Sequence, residues 1–224
     1  MNSWRHVSCL IQMQHFLIKD NNMEIKNNKI ENPLKYYREK TAEFDPQVLS
    51  AKSGVPFDGE AFHLTMMSRP AKLLWPALEC YFEDDGSAAS NAYIILFTRL
   101  VMYGILTPKG GKMLAYNEIP WGMHYYKAFQ GRCLNRLSGV YGHNAAKLAE
   151  DALKFGAVKV PGGDCSIEFD FIPNLTVRAT VWEGDDEFPA NSQILFSDNF
   201  LLAFSAEEMA VVGDTFMNAL KGRW

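Results

Sequence analysis

Strict alternation of apolar and polar residues over residues 164–171 is the feature that most constrains the fold of this chain. The stretch reads DCSIEFDF, so Cys165, Ile167, Phe169 and Phe171 fall on one face of an extended strand. The stretch NLTVRATVW, which follows a proline, alternates in the same way. Two such strands joined by a short turn predict an antiparallel hairpin with one buried face.

In one register of this hairpin, the apolar residues of both strands lie on the same face of the sheet. In that register the residue numbers of each cross-strand pair add up to about 346. This register places Glu168 opposite Arg178, and we expect a cross-strand ion pair between them. It also places Asp164 opposite Trp182. The PGGD loop that ends at Asp164 therefore lies beside the EGDDEF loop that begins at Glu183, and two acidic loops are expected to meet at one end of the sheet.

The acidic residues at this end of the sheet are the first candidates for a functional site. Residues 164–187 contain seven acids and one base, a local charge of −6, whereas the whole chain has a net charge of −4. Charges this close repel one another unless something neutralises them. The sequence leaves three possibilities open: a hard divalent cation, internal bases such as Arg99, or water. The candidate metal ligands are Asp164, Asp185, Asp186 and Glu187.

Aromatic side chains flank the same acids. Trp182 precedes them and Phe188 follows them, and aromatic residues beside converging acids are typical of a pocket wall. Trp182 also falls on the polar face of its strand, which equally fits a helix that covers that end of the sheet. Trp121 lies in the aromatic-rich segment EIPWGMHYY, which is either a packed loop or a ligand wall. The candidate ligand-binding residues are therefore Trp182, Phe188, Trp121 and Arg99.

The remaining segments predict helices around antiparallel strands. Short apolar segments separated by Pro and Gly over residues 61–82 predict a β-meander. Helices are expected near residues 33–44, 46–53, 87–104, 123–137, 144–155 and 205–220. The helix that contains Arg99 is apolar on nearly all sides, so it should be buried and its arginine should have an acidic partner or a carbonyl group. Gly213 in the last helix is expected to pack closely against the sheet. The fold class is α+β, with an antiparallel sheet and hairpins packed against several helices.

Composition and charge narrow the class of protein. An acidic chain with a pI of about 5.7 and no basic stripe does not predict a nucleic-acid partner. No segment has the roughly 20 consecutive apolar residues of a membrane span. Four scattered cysteines without a C-x-x-C pair predict free thiols in a cytoplasmic protein, with no iron–sulfur cluster on this chain.

Motifs of common catalytic sites are absent from the sequence. There is no G-x-S-x-G turn and no glycine-rich loop with phosphate-binding spacing. His63 falls in a predicted strand without an evident carboxylate partner, and we interpret it as a core or capping residue.

The chain divides into two parts by composition. Residues 1–30 predict a flexible N-terminal tail, and Met23 is an alternative start of the protein. Residues 31–224 predict a single α+β domain, which is an ordinary length for one hydrophobic core.

The block WEGDDEFPA, preceded by a Gly-Asp pair and a proline, resembles a bacterial and archaeal family of domains of unknown function, number 3786. The matching positions are Gly163, Asp164, Pro173, Trp182, Gly184, Asp185, Glu187, Phe188, Pro189 and Ala190. The resemblance extends over roughly residues 32–220 and is most specific in the last third. It implies membership of a family that occurs largely in anaerobes and to which no activity is assigned. Some members carry an added cysteine-rich segment of the 4Fe–4S kind, which this chain lacks.

Three functions remain open at this point. The first is a cytoplasmic accessory module of anaerobic metabolism that binds a ligand, metal or cofactor, with an iron–sulfur or other metalloprotein as its partner. The second is a hydrolase-like enzyme that holds a divalent metal with the acidic loops; the shortage of His ligands favours magnesium, calcium or manganese. The third is a protein–protein interaction domain whose acidic end attracts a basic partner.

Overall fold

Two antiparallel sheets organise residues 33–224, the part of the chain that the computed structural model describes. The predicted tail over residues 1–30 lies outside the described residues. The strands are β1 (Ala61–Met66), β2 (Arg69–Leu74), β3 (Glu79–Phe82), β4 (Met113–Ala115), β5 (Val158–Lys159), β6 (Cys165–Ile172), β7 (Leu175–Trp182) and β8 (Asn191–Ser197). The smaller sheet has the order β1-β2-β3, which confirms the predicted meander, and the larger sheet has the order β4-β8-β7-β6-β5.

Helices surround the two sheets, and the α+β class is confirmed. They are α1 (Pro33–Lys40), α2 (Pro46–Ser53), α3 (Asn91–Tyr103), α4 (Gly122–Phe129), α5 (Asn135–Tyr141), α6 (Ala146–Ala152), α7 (Phe200–Ala203) and α8 (Ala206–Ala219). Local signals set several of their ends. The Asp45 side chain accepts a hydrogen bond from the backbone N–H of Gln47 at the start of α2, and Gly54 ends that helix in the left-handed conformation, with φ of 78°.

The predicted register of the β6–β7 hairpin is confirmed. Ser166 pairs with Thr180 and Glu168 with Arg178, so these pairs sum to 346. The Arg178 guanidinium donates to the Glu168 carboxylate over 2.8 and 2.5 Å. The apolar face of β6 is buried, and the Phe169 ring stacks on a ring of α8 at a centroid distance of 4.7 Å. The main core therefore lies between the larger sheet and α8.

Helix α3 is mostly buried, as its composition predicts. The Arg99 guanidinium pairs with the Glu208 carboxylate of α8 and also donates to the Tyr37 hydroxyl of α1. Glu208 accepts a second hydrogen bond from the backbone N–H of Ser205, which caps α8. The predicted acidic partner of Arg99 is confirmed, and it connects three helices. No helix within residues 33–224 is long and apolar enough to cross a membrane.

The helix predicted over residues 123–137 contains an irregularity that its sequence does not signal. Residues Gln130–Leu134 form a π-helical turn between α4 and α5. Gly213 of α8 packs against this turn, because a Cβ at that position would lie 2.7 Å from Cys133 Sγ and 3.0 Å from the Phe129 ring. The predicted contact of Gly213 with the sheet is wrong, since its close neighbours belong to a helix. A π-helical turn is wider than an α-helical turn, and here it leaves no room for a side chain at position 213 of α8.

Candidate functional site

A cleft of about 670 Å³ lies between the first half of β8 and the helical segment from α4 to α5. Trp182, at the end of β7, lines one side of it. Side-chain amides line much of the remainder: Asn117, Gln130, Asn135, Asn191 and Gln193. We call this the amide cleft.

The amide cleft is nearly free of charge. Glu118 is the one charged residue among the described residues that line it, and its carboxylate accepts a hydrogen bond from the backbone N–H of Ala115 over 2.7 Å. Four of the amide side chains are exposed and form no hydrogen bond within residues 33–224: Asn117, Gln130, Asn135 and Gln193. Each amide group offers both donors and an acceptor. The cleft therefore presents polar groups that the rest of the described chain does not use.

The π-helical turn shapes one wall of the amide cleft. Gln130 and Leu134, its first and last residues, both line the cleft. The Ser192 hydroxyl of β8 donates to the backbone carbonyl of Leu134 over 2.7 Å, and this contact ties the wall to the sheet. π-Helical turns inside α-helices are found frequently at functional sites. The sequence contains no periodic signal for this turn, so sequence reasoning missed the cleft.

The two acidic loops meet as predicted, but their carboxylates bind backbone groups. Asp164 accepts a hydrogen bond from the backbone N–H of Glu183 over 2.7 Å. Glu183 in turn accepts one from the backbone N–H of Ala145, next to the start of α6, over 2.6 Å. Asp185 accepts from the backbone N–H groups of Phe188 and Glu187 over 2.7 and 2.9 Å, and these bonds hold the pKa of Asp185 below its usual range. The acids stabilise loops and the start of a helix.

The candidate metal ligands are not brought together as a cluster. Within residues 33–224, no three side chains of the His, Cys, Asp or Glu types are arranged so that they could hold a metal ion. Asp164 and Asp185 have backbone partners, while Asp186 and Glu187 lie exposed on the loop. The metal site stays a prediction from the sequence alone.

The predicted ligand-binding residues lie apart from one another. Trp182 is the one of the four that lines the amide cleft. Phe188 is 67% exposed on the acidic loop, and Trp121 is 65% exposed before α4, with φ of 64°. Arg99 is engaged by Glu208 and Tyr37. The four residues do not form one site.

A second cleft, of about 510 Å³, lies between the smaller sheet and the β6–β7 turn. Its walls include four prolines, and we call it the proline cleft: Pro56, Pro70, Pro108 and Pro173. His63 of β1 and Glu83, just after β3, also line it.

His63 has two carboxylate neighbours, so the expectation that it lacks one is wrong. Its Nε2 lies 2.8 Å from Asp58 Oδ2, and its Nδ1 lies 3.6 Å from Glu83 Oε1. The other oxygen of Asp58 accepts hydrogen bonds from the backbone N–H groups of Ala61 and Glu60, each over 2.8 Å. These bonds and the contact with His63 hold the pKa of Asp58 far below its usual range. The Asp-Gly turn five residues before His63 is the sequence signal that could have identified this pair.

Together, the fold and the clefts define an α+β protein with preformed concave sites on two antiparallel sheets. The family model of a domain of unknown function, DUF3786, matches residues 45–219, and the chain belongs to this family. The resemblance seen in the sequence is thereby confirmed. Comparison with curated proteins and with solved structures gives no significant match.

Proposed function

We propose that this protein is a binding module whose ligand site is the amide cleft. The observation that carries the proposal is the convergence of unpaired side-chain amides from separate segments on one cleft in which Glu118 is the one charged residue among the described residues. Polar groups on a protein surface are usually scattered, whereas a ligand site gathers a few of them in a concave space. A neutral polar ligand fits, because amides donate and accept without requiring a charge.

Trp182 supplies the apolar contact that such a site needs. Its ring is 39% exposed at the edge of the cleft, where a flat or aliphatic part of a ligand can lie against it. The amides then orient the polar part of the ligand. The apolar contact with Trp182 contributes affinity, and the hydrogen bonds to the amides contribute specificity.

We place this binding module in the cytoplasm of an anaerobic cell, as an accessory to a metalloprotein or to a cofactor that the cleft holds by neutral groups. The three cysteines among residues 33–224 are free and buried, which supports a reducing compartment. The hydrolase-like alternative, with a divalent metal on the acidic loops, has less support because the backbone occupies Asp164 and Asp185.

The test is saturation-transfer NMR on the full chain with four uncharged probes: N-acetylglucosamine, maltose, uridine and a capped tetrapeptide. We expect at least one probe to bind, and Gln130→Ala to weaken that binding by about tenfold, which corresponds to ~1.4 kcal/mol. Gln47→Ala is the matched control, because Gln47 is an exposed glutamine outside the cleft. Failure of all four probes, or equal weakening in the two variants, would reject the amide cleft as the site.

A second candidate function is proton transfer in the proline cleft, favoured by the placement of His63 between Asp58 and Glu83. Asp58 is fixed by two backbone N–H groups and can orient the imidazole ring, as the acid does in catalytic dyads. Hydrolysis of p-nitrophenyl acetate would report an activated imidazole. His63→Gln should abolish it, while the exposed His143→Gln should not; equal rates in both variants would leave the pair a structural contact.

A further inference from the structure

Strand β8 is paired over residues 191–196 on one side, but only over its last three residues on the other. On the β7 side its pairing runs from Asn191 opposite Trp182 to Phe196 opposite Val177. On the other side, β4 pairs with β8 from Ser197 back to Leu195 and then ends. Among residues 33–224, no strand continues the ladder beside residues 191–194.

The amide cleft runs along this unpaired edge. Residues 191, 192, 193 and 194 all line the cleft, although successive side chains of a strand point to opposite faces. Four consecutive residues can border one cleft when the cleft follows the edge of the strand. The Asp198 N–H donates to the Lys112 carbonyl over 3.0 Å, so even-numbered residues direct their backbone groups toward the β4 side. The backbone of Ser192 and Ile194 therefore faces the cleft; the Ser192 N–H donates to the side-chain oxygen of its neighbour Asn191 over 2.8 Å, so an added strand has to displace this local contact.

The edge lacks the usual protection against another strand. Proteins commonly block exposed edges with Lys, Pro, inward charges or bulges. Residues 191–194 read Asn-Ser-Gln-Ile, with neither a charge nor a proline, and the pairing of β8 with β7 has no bulge. The helical wall from α4 to α5 stands across the cleft from this edge and carries Gln130 and Asn135.

We propose that the amide cleft binds an extended, uncharged peptide segment of a partner protein as an added strand beside β8, in line with β4. This inference rests on the proposed function and names its ligand. The open edge is about four residues long, which corresponds to ~13 Å of extended chain. Backbone hydrogen bonds to β8 supply affinity that tolerates changes in peptide sequence.

The lining explains why the segment is uncharged. Peptide groups have one donor and one acceptor per residue, and side-chain amides match both. Gln130 and Asn135 on the helical wall can serve the outer edge of the bound segment while β8 serves the inner edge. An acidic residue in the segment would lose water without gaining an opposite charge, because the one charged side chain among the described residues that line the cleft, Glu118, is itself an acid.

The closing experiment compares three probes on the full chain by ¹H–¹⁵N NMR. The first is acetyl-Thr-Val-Thr-Val-amide, the second is the same peptide with two alternate backbone amides N-methylated, and the third is maltose. N-methylation removes backbone donors and keeps the side chains. We expect the first peptide to shift the amide signals of residues 191–194 and to slow hydrogen exchange at Ile194, and the methylated peptide to bind at least about tenfold more weakly.

The outcomes distinguish a failure of the peptide proposal from a failure of the amide cleft as a binding site. Equal binding of the two peptides, or shifts outside residues 191–194, would overturn strand addition. Binding of maltose alone in the amide cleft would overturn the peptide and leave the proposed function standing. If none of the three probes binds and the probes used for the proposed function also fail, both proposals fall. A dimer that dissociates when the first peptide is added would make a second copy of this chain the occupant, and would overturn the partner segment.

Discussion

The acidic end of the larger sheet and the amide cleft lie near each other, yet their polar groups have opposite roles. At the acidic end, Asp164, Glu183 and Asp185 each accept hydrogen bonds from backbone N–H groups. In the amide cleft, the side-chain amides of Gln130 and Asn135 have no hydrogen-bond partner within residues 33–224. Polar groups with internal partners stabilise a fold, and polar groups without partners are available to a ligand. In this chain, the dense charge of the acidic loops does not mark the cleft; what marks it is the convergence of amides without internal partners on a concave space.

The largest expected effect tests, at the Arg99–Glu208 pair, the rule that polar groups with internal partners stabilise the fold. Glu208→Ala should lower the free energy of unfolding by about 3 kcal/mol, because it leaves the partly buried Arg99, whose side chain is 33% exposed, without its carboxylate and also removes the cap of α8. Denaturant unfolding followed by circular dichroism measures this change. Glu207→Ala is the matched control, since Glu207 is an exposed acid on the same turn, and its effect should stay within about 1 kcal/mol.

A glycine in α8 should affect both the stability of the fold and the shape of the amide cleft. Gly213→Ala places a methyl group 2.7 Å from the buried Cys133 Sγ, and should lower the free energy of unfolding by about 2 kcal/mol. It should also weaken ligand binding, because it displaces the π-helical turn that carries Gln130. Gly139→Ala in α5 is the control: no atom lies within 4 Å of its Cβ, so the added methyl should stabilise the helix slightly. If Gly213→Ala leaves the free energy of unfolding unchanged, the π-helical turn can move away from the added methyl group at little energetic cost.

Replacement of an amide in the cleft should have the opposite effect, with little change in stability and a clear loss of binding. Asn135→Ala should leave the melting temperature within about 2 °C of the wild type, because an exposed group without a partner contributes under 0.5 kcal/mol. The same change should weaken binding of the capped tetrapeptide about tenfold in isothermal titration calorimetry. A parallel fall in stability and affinity would show that Asn135 supports the fold and that the comparison fails at this residue.

The smallest expected effect concerns the acidic loop and depends on pH. The backbone N–H groups of Phe188 and Glu187 lower the pKa of Asp185 in the folded protein. Its charge therefore stabilises the fold above the unfolded pKa of about 3.9, and this contribution is lost as the pH falls through the folded value. Asp185→Asn should melt below the wild type at pH 7, and the difference should vanish in strong acid. If the difference in melting temperature persists in strong acid, the effect of Asp185→Asn comes from the shape of the new side chain and not from the loss of the charge.

The hairpin was predictable because its signal is local. Alternation with a period of two fixes which side chains are buried, and one register keeps both apolar faces together. The ion pair between Glu168 and Arg178 and the meeting of the acidic loops followed from that register. Arg99 was predictable for a related reason, since a charge in an apolar helix requires a partner.

The amide cleft was not predictable, because its parts come from separate segments. Asn117, Gln130 and Gln193 are unremarkable exposed residues in the sequence, and their convergence depends on the π-helical turn and on the early end of β4. His63 and Asp58 meet through a turn whose geometry is set by backbone hydrogen bonds. Periodicity describes faces of helices and strands, and it carries no information on which loops approach one another.

The pairing of Arg99 with Glu208 also bears on how the protein is made. The ribosome delivers Arg99 more than a hundred residues before the carboxylate that neutralises it. During synthesis the emerging chain therefore contains an apolar helix whose arginine has no carboxylate partner yet. The pair can form only when nearly the whole chain has been made, so the packing of α3 depends on the helix that is synthesised last.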